Sequence, residues 1–387
     1  MDASSPIRHD RAFGSVIVAS LVALALAFVV SPSSAQAAES SPTLSEAQGA
    51  IVVDGSGNEL WGVNEDVEYP MASITKIMTA MVAIDSGYSF SSTVTLSDVT
   101  LSENAQVAGY KGGETSSFED LMRVMLVYSA NDAAVEVARA VAGSEDAFVE
   151  RMNEKAAQLG LTHTHFENVH GLDADGHYSS VSDLVKMGRY AMLNYPFIRK
   201  MVSTRSVTVP VGDSQLTFDS TDDLMETYQG LLGIKTGSCE GGTTFLGCSS
   251  RDGVTLYTAV LGCSTTQGRF DDTATMMDWA YDTYVTYHLA DPDQSKRYVP
   301  YAYRFGWYCV LSADAKVDGL VWPYGGDTTY TTITTGGGKL AVPDQTYSVT
   351  LYQQDGRVVA ACSSSTGSGL VKGTSFDSSL PWLSVAA

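Results

Sequence analysis

The chain is short of positive charge. Its 387 residues hold 23 Lys and Arg against 44 Asp and Glu, a formal net charge of −21. A nucleic-acid partner needs a basic footprint to displace counterions from its phosphates, so no such partner is expected. Cysteine is scarce too. Five residues cannot frame a disulfide scaffold, and an odd count leaves at least one unpaired within the chain. Cys309 with Cys362 is the favoured pair, leaving Cys239, Cys248 and Cys263. Beyond the first thirty residues no run is long and apolar enough to span a bilayer. What is present is an ordinary hydrophobic fraction of 44%, which excludes wholesale disorder and allows a sizeable core.

The first forty residues point to a compartment. Arg8 and Arg11 precede an apolar run from Val16 to Val30, and Ala35-Gln36-Ala37 follows. That is the three-part layout of a secretory signal with an A-x-A site, so residues 1–37 are expected to be removed. The alternative is an uncleaved anchor, since Ala12 to Val30 is 19 residues long. Either way the rest of the chain is expected outside the cytoplasm, on the cell-wall side of the membrane. Membrane contact is expected only if the segment stays. The last ten residues are uncharged apart from Asp377 just before them, and Pro381 interrupts them, which does not support a basic interfacial helix.

The periodicity then divides the chain. Ala50–Val53 and Glu59–Val63 read as strands around the turn residues 54–58. Helical spacing follows over Ser73–Ile84, Ser117–Tyr128, Ser144–Leu159 and Val181–Leu193. Strand-like runs return at 206–210, 216–219, 232–236, 243–248 and 254–261, and a helix over 273–284 closes the series. Strands, then helices, then strands with a closing helix fit an α+β domain whose antiparallel sheet draws on both ends of the segment. After Glu240 there is no further glutamate, and beyond Asp291 the chain is rich in Tyr, Thr, Gly and Ser with short strand-like runs. Residues 38–290 are read as that α+β domain and 291–387 as a small β-rich C-terminal domain.

Three short patterns carry chemistry. Ser73-Ile74-Thr75-Lys76 at a helix start puts a hydroxyl and an amine on one face, with the hydroxyl near the helix N-terminus. An unperturbed lysine titrates at about 10.4, so it can serve as a base only if burial or a second cation lowers that value. Ser129-Ala130-Asn131 follows an apolar helix, and Lys235-Thr236-Gly237 ends a strand-like run. Singly each pattern is common. In order, separated by 56 and 106 residues, they form the S-x-x-K, S-x-N and K-T-G set of penicillin-recognising serine enzymes.

With these motifs, and with Met71–Ala80, Asn131–Ala134, Leu161–Phe166, His170–Leu172 and Gly230–Gly237 around them, the chain resembles the low-molecular-weight penicillin-binding proteins. These are serine D-alanyl-D-alanine carboxypeptidases of peptidase family S11. The resemblance implies a β-lactamase/transpeptidase-like catalytic domain. It implies Ser73 as nucleophile, Lys76 as its base and Ser129 as a proton relay. It also implies Asn131, Lys235, Thr236, Gly237, Ser238 and Arg269 as substrate-binding residues, with the N–H groups of Ser73 and Ser238 as oxyanion hole. The implied substrate is a peptidoglycan stem peptide ending in D-Ala–D-Ala, with β-lactams as covalent inhibitors. Endopeptidase or transpeptidase action on D-Ala crosslinks uses the same acyl-enzyme. A β-lactamase would need a water activator, for which Glu167 is the nearest candidate, and a silent wall-binding protein would not keep the full motif set.

No metal or other cofactor is expected. His163, His165, His170 and His177 fall within fifteen residues, but His163 and His165 point apart if extended, and no H-E-x-x-H helix is present. Asp173–Gly176 starts like a calcium loop without its later ligands, and Gly336–Lys339 lacks the spacing of a phosphate loop. The acidity, finally, belongs to one part of the chain. Residues 1–37 are neutral and those from 291 carry eight Asp against seven Lys and Arg, so −20 resides in 38–290. Within that acidic part the expected site gathers Lys76, Lys235 and Arg269, a local positive pocket for a carboxylate.

Overall fold

The computed structural model describes residues 41–290 and, beyond them, 296–300, 307–313, 317–321, 330–334, 346–352, 358–372 and 383–384. The signal segment, residues 291–295 and the Gly336–Lys339 stretch lie outside the described residues.

A five-stranded antiparallel sheet organises the catalytic part. Its strands are β1 (Gly49–Asp54), β2 (Glu59–Val63), β7 (Leu231–Cys239), β8 (Gly242–Arg251) and β9 (Val254–Cys263). Their order is β2-β1-β9-β8-β7, so the first hairpin of the segment pairs with its last strand, Ala50 opposite Val260. The expected sheet drawn from both ends is therefore present. Asp54 closes the first hairpin by accepting the N–H groups of Ser56 and Asn58. Asp252 and Gly253 close the β8–β9 hairpin with positive φ of 50° and 85°, as a tight turn between twisted strands requires.

The sheet is covered on both faces. Successive residues of a strand alternate sides. Ala50 and Val52 join a cluster with Phe245, Val260, Phe270, Met276 and Met277. Ile51 and Val53 join a larger cluster with Ile77, Met81, Leu184 and Leu246. This explains why β1 is buried along its whole length. The first cluster lies under α8 (Thr266–Thr283), the second under a helical block. That block comprises α1 (Thr75–Asp85), α2 (Phe118–Val127), α3 (Asn131–Ala142), α4 (Glu145–Gln158), α5 (Val181–Asn194) and α6 (Pro196–Val202). Small elements complete it: β3 (Thr93–Thr95) with β4 (Thr115–Ser117), β5 (Ser206–Val211) with β6 (Ser214–Asp219), and α7 (Leu224–Thr227).

Helix α1 is the hub. It contacts α2, α3, α4, α5 and α6, and Thr75 through Ala83 are all buried. Each fully buried aliphatic side chain there contributes roughly 1.5–3 kcal/mol. The outer helices start on side-chain caps: Ser117, Ser144, Ser180 and Thr265 accept N–H groups from the first turns of α2, α4, α5 and α8, each worth about 1 kcal/mol. α1 has no such cap. A single 3-10 turn, Ala72–Ile74, leads into it and carries Ser73.

Beyond Tyr284 only strands are described. β10 (Val285–Ala290) pairs with β13 (Val317–Val321). β11 (Lys296–Pro300), β12 (Trp307–Ala313), β16 (Val358–Lys372), β15 (Thr346–Tyr352), β14 (Tyr330–Thr334) and β17 (Leu383–Ser384) form a six-stranded sheet in that order. One expectation fails here. Cys309 is a free thiol. It stands opposite Leu370 on β16, whereas Cys362 stands opposite Val349 on β15. Eight strand positions separate Leu370 from Cys362, roughly 26 Å of strand, far beyond the reach of a disulfide.

Candidate active site

The site forms where three pieces of chain meet at the start of α1. The first is the 3-10 turn. Ala72 has φ 50°, a left-handed conformation for a residue with a side chain, at a cost of order 1–3 kcal/mol. The turn is fixed from both sides. Thr75 Oγ1 donates to the Ala72 carbonyl at 2.7 Å and lies 2.8 Å from His177 Nε2. His177 Nδ1 accepts the Glu167 N–H at 3.0 Å, which assigns its proton to Nε2 and makes it the donor to Thr75. Burial pushes the His177 imidazole down to about 4, so it stays neutral in this role.

Lys76 has no measurable exposure. Its ammonium position contacts Ser73 Oγ at 3.0 Å, Asn131 Oδ1 at 2.7 Å and the His170 carbonyl at 2.6 Å. Those three partners would satisfy all three donors of an ammonium. A neutral amine has one lone pair, and Ser73 Oγ is the partner that can donate to it. Burial, reinforced by the charge of Lys235, holds the Lys76 amine well below the ordinary lysine range, with Asp132 opposing the shift. The lysine is thus prepared to accept a proton from the serine beside it.

The second piece is the turn between α2 and α3. Asn131 is the first residue of α3, so the carboxamide that holds Lys76 sits at a helix start. Ser129 has φ 70° and is buried, and its hydroxyl has no hydrogen-bond partner among the described residues. A loop braces this turn. Asn131 N–H donates to the Gln106 carbonyl, and the Gln106 side chain donates to the Tyr128 carbonyl. Buried Asp132 accepts the N–H groups of Ala108, Gly109 and Tyr110. Gln106 and Asp132 were not among the expected site residues. The only sequence signal for Asp132 is an acid in the first turn of a helix.

The third piece is β7, an edge strand of the sheet. Gly237 faces the 3-10 turn: a Cβ there would lie 2.8 Å from the Ala72 Cβ. Glycine is what lets strand and turn approach. Lys235 is buried, and its amine donates to the Thr236 carbonyl at 3.1 Å. Burial and the neighbouring Arg269 lower it to about 7. Arg269, one turn into α8, donates to the Gly237 carbonyl at 2.7 Å and to Ser238 Oγ at 3.3 Å. The Thr236 hydroxyl is bonded to that of Thr221.

The structure therefore gathers Ser73, Lys76 and Asn131 into direct contact, and Lys235, Thr236, Gly237, Ser238 and Arg269 along one strand edge. The four histidines are used otherwise. His170 lends its carbonyl to Lys76, His177 fixes the turn, His163 lies 3.7 Å from Glu68, and His165 lies 3.3 Å from Glu167. Glu167 faces His165 and is exposed. Cys239 at the rim is no thiolate, since burial and Asp173 raise its thiol.

A serine against a buried lysine whose amine is held well below the ordinary range, beside a cationic strand edge, defines an acyl-transfer enzyme that takes substrates ending in a carboxylate. Comparison with known proteins agrees. The family profile for D-alanyl-D-alanine carboxypeptidases, peptidase S11, matches residues 35–265, and the chain belongs to that family of serine peptidases. It is 32% identical over 262 residues to the D-alanyl-D-alanine carboxypeptidase DacF of Bacillus subtilis, covering 65% of this chain and 66% of that one. It is 34% identical to DacB2 of Mycobacterium tuberculosis, covering 61% and 82%. The crystal structure of penicillin-binding protein D2 from Listeria monocytogenes in the ampicillin-bound form superposes with a TM-score of 0.56 at 31% identity, covering 62% of this chain and 100% of that one. The α+β class expected from the element order and the transpeptidase-like fold implied by the resemblance are thus established.

Proposed function

We propose that this D-Ala–D-Ala carboxypeptidase removes the terminal D-alanine from peptidoglycan stem pentapeptides through an acyl-enzyme on Ser73. The observation that carries the reading is the 3.0 Å contact between Ser73 Oγ and a Lys76 amine that burial and Lys235 hold well below the ordinary lysine range. Lys76 takes the hydroxyl proton as Oγ attacks the carbonyl of the penultimate D-alanine. The N–H groups of Ser73 and Ser238 receive the developing oxyanion. The peptide C–N bond breaks as Ser129 relays the proton taken up by Lys76 to the leaving amine, so that D-alanine departs and Lys76 is neutral again. Water then attacks the ester, its proton going to Lys76 and back to Ser73 Oγ. Lys235, Thr236 and Arg269 bind the terminal carboxylate, and Asn131 orients the substrate amide together with Lys76. A β-lactam carries a carboxylate and a strained amide into the same positions, so it acylates Ser73 as well.

The A-x-A segment supports export to the cell-wall side of the membrane, with membrane contact only if residues 1–37 remain. Two measurements test the reading. Fluorescent penicillin should label the wild type and not Ser73→Ala; labelling that survives the substitution refutes the acyl-enzyme. Free D-alanine should be released from a soluble pentapeptide. Release from crosslinked dimers alone would replace the carboxypeptidase with an endopeptidase.

A further inference from the structure

Between β7 and the α2–α6 side of the helical block lies a small cavity. Leu126, Met201 and Ile234 give it apolar walls, and Asp222, Lys235 and Thr236 also line it. Asp222 belongs to the turn after β6. Its side chain is 6% exposed. One carboxylate oxygen accepts the Leu224 N–H at 3.1 Å, and the other has no hydrogen-bond partner among the described residues. Across the cavity, the Lys235 amine uses one donor, to the Thr236 carbonyl. A buried carboxylate with an open acceptor thus shares a low-dielectric space with a buried amine that has donors to spare.

We propose that Asp222 is a positioning residue for substrate recognition: across this cavity its carboxylate holds Lys235 in the ammonium form that binds the terminal carboxylate. The inference rests on the carboxypeptidase reading above and names what sets its carboxylate pocket.

The neighbouring charges make the need for such a group plain. Lys235 faces Arg269 from α8 and Lys76 from α1, both cationic when protonated, and Asp132 from α3 acts on Lys76. Burial and Arg269 press Lys235 to lose its proton. Asp222 is the counter-charge that opposes them, and it acts on Arg269 as well, together with Asp223. The exchange is mutual. Burial raises Asp222, to about 7 in all, against the lowering pull of the Leu224 N–H and of the charges of Lys235 and Arg269. Removing the Asp222 charge therefore lowers the pH at which Lys235 becomes neutral. Thr221, whose hydroxyl is bonded to Thr236, ties the same turn to the strand.

The test compares a peptide ending in D-Ala–D-Ala carboxylate with the same peptide ending in the carboxamide, over pH 5 to 10, in wild type, Asp222→Asn and Asp222→Glu. Asp222→Asn should move the alkaline limb of kcat/KM for the carboxylate peptide down by at least about half a pH unit, roughly threefold in rate on that limb. The carboxamide peptide should show no such shift, and Asp222→Glu should keep the wild-type limb. An unchanged limb in Asp222→Asn, or an equal loss on both peptides at every pH, overturns the proposal. A wild type that does not favour the carboxylate refutes the carboxypeptidase reading instead. Should Asp222→Asn not fold, carbon-13 aspartate spectra of the wild type and Lys235→Arg decide. The carboxyl titrating near neutrality should move to lower pH beside the permanent guanidinium, and an unmoved midpoint overturns the proposal.

Discussion

Lys76 is the residue whose environment departs furthest from its chemistry. A lysine with no exposure, three hydrogen-bond partners and, among the described residues, no carboxylate in contact would be a structural fault in a helix built only for packing. Here the fault supplies a base. Lys76→Ala is expected to leave the fold intact, because α1 keeps its apolar contacts on all sides. Its acylation rate by penicillin should fall by about 10²–10⁴, the range of a lost general base. The pH dependence has a definite sign. Activity needs Lys76 unprotonated and Lys235 protonated. The acid limb of the acylation rate therefore rises as Lys76 loses its proton, well below the ordinary lysine range. The alkaline limb falls as Lys235, lowered to about 7, loses its own. Stopped-flow acylation across pH should show both limbs in the wild type. An acid limb that persists in Lys76→Ala would remove Lys76 as the titrating base.

At the scale of elements, the site is a junction, and glycines keep it tight. Gly171 has φ 88°, and a Cβ on it would collide with the Ala72 carbonyl oxygen and come 2.8 Å from Thr75 Oγ1. Both atoms belong to the hydrogen bonds that hold the Ser73 turn. Gly171→Ala should therefore lower stability by about 2 kcal/mol or more through strain and overpacking, and slow penicillin acylation beyond what stability explains. Thermal unfolding and labelling of the folded fraction separate the two effects; a variant with wild-type labelling would show that the turn tolerates displacement. Much of this junction was legible beforehand. S-x-x-K and S-x-N meet through Ser73, Lys76 and Asn131, K-T-G brings Gly237 against the Ser73 turn, and hydrophobic spacing located α1, α2, α4 and α5. What was not legible has a common cause. α3 and the first turns of α8 begin with small and polar residues, Asn131-Asp132-Ala133-Ala134 and Thr266-Gln267-Gly268-Arg269, which lack an apolar stripe at their starts. The bracing of the Ser129 turn by Gln106 and Asp132 runs between residues 22 to 25 positions apart. No local pattern encodes such pairings.

For the whole molecule, the division of labour is set by where the catalytic contacts end. Among the described residues, every side chain that forms the Ser73 site, the carboxylate edge and the Asp222 cavity lies between residues 41 and 284. Tyr284 itself anchors the last helix, its hydroxyl donating to the Leu60 carbonyl at 3.1 Å. The strand that follows, Val285–Ala290, spends its hydrogen bonds on Val317–Val321 instead. The division between the two parts is therefore better tested by truncation after Tyr284 than after Ala290, which would leave β10 without its partner strand and an exposed edge. The chain ending at Tyr284 is expected to release D-alanine from a soluble pentapeptide within about twofold of the full-length rate, as an independently folded domain should. Its action on intact cell walls is predicted to fall much further, since the strands described beyond Val285 supply none of the described side chains of the site. Measuring D-alanine release from both substrates, side by side for the two chain lengths, decides it. Parallel loss on pentapeptide and wall would mean that the C-terminal strands support the catalytic fold itself, and equal retention on both would leave them without a part in wall recognition.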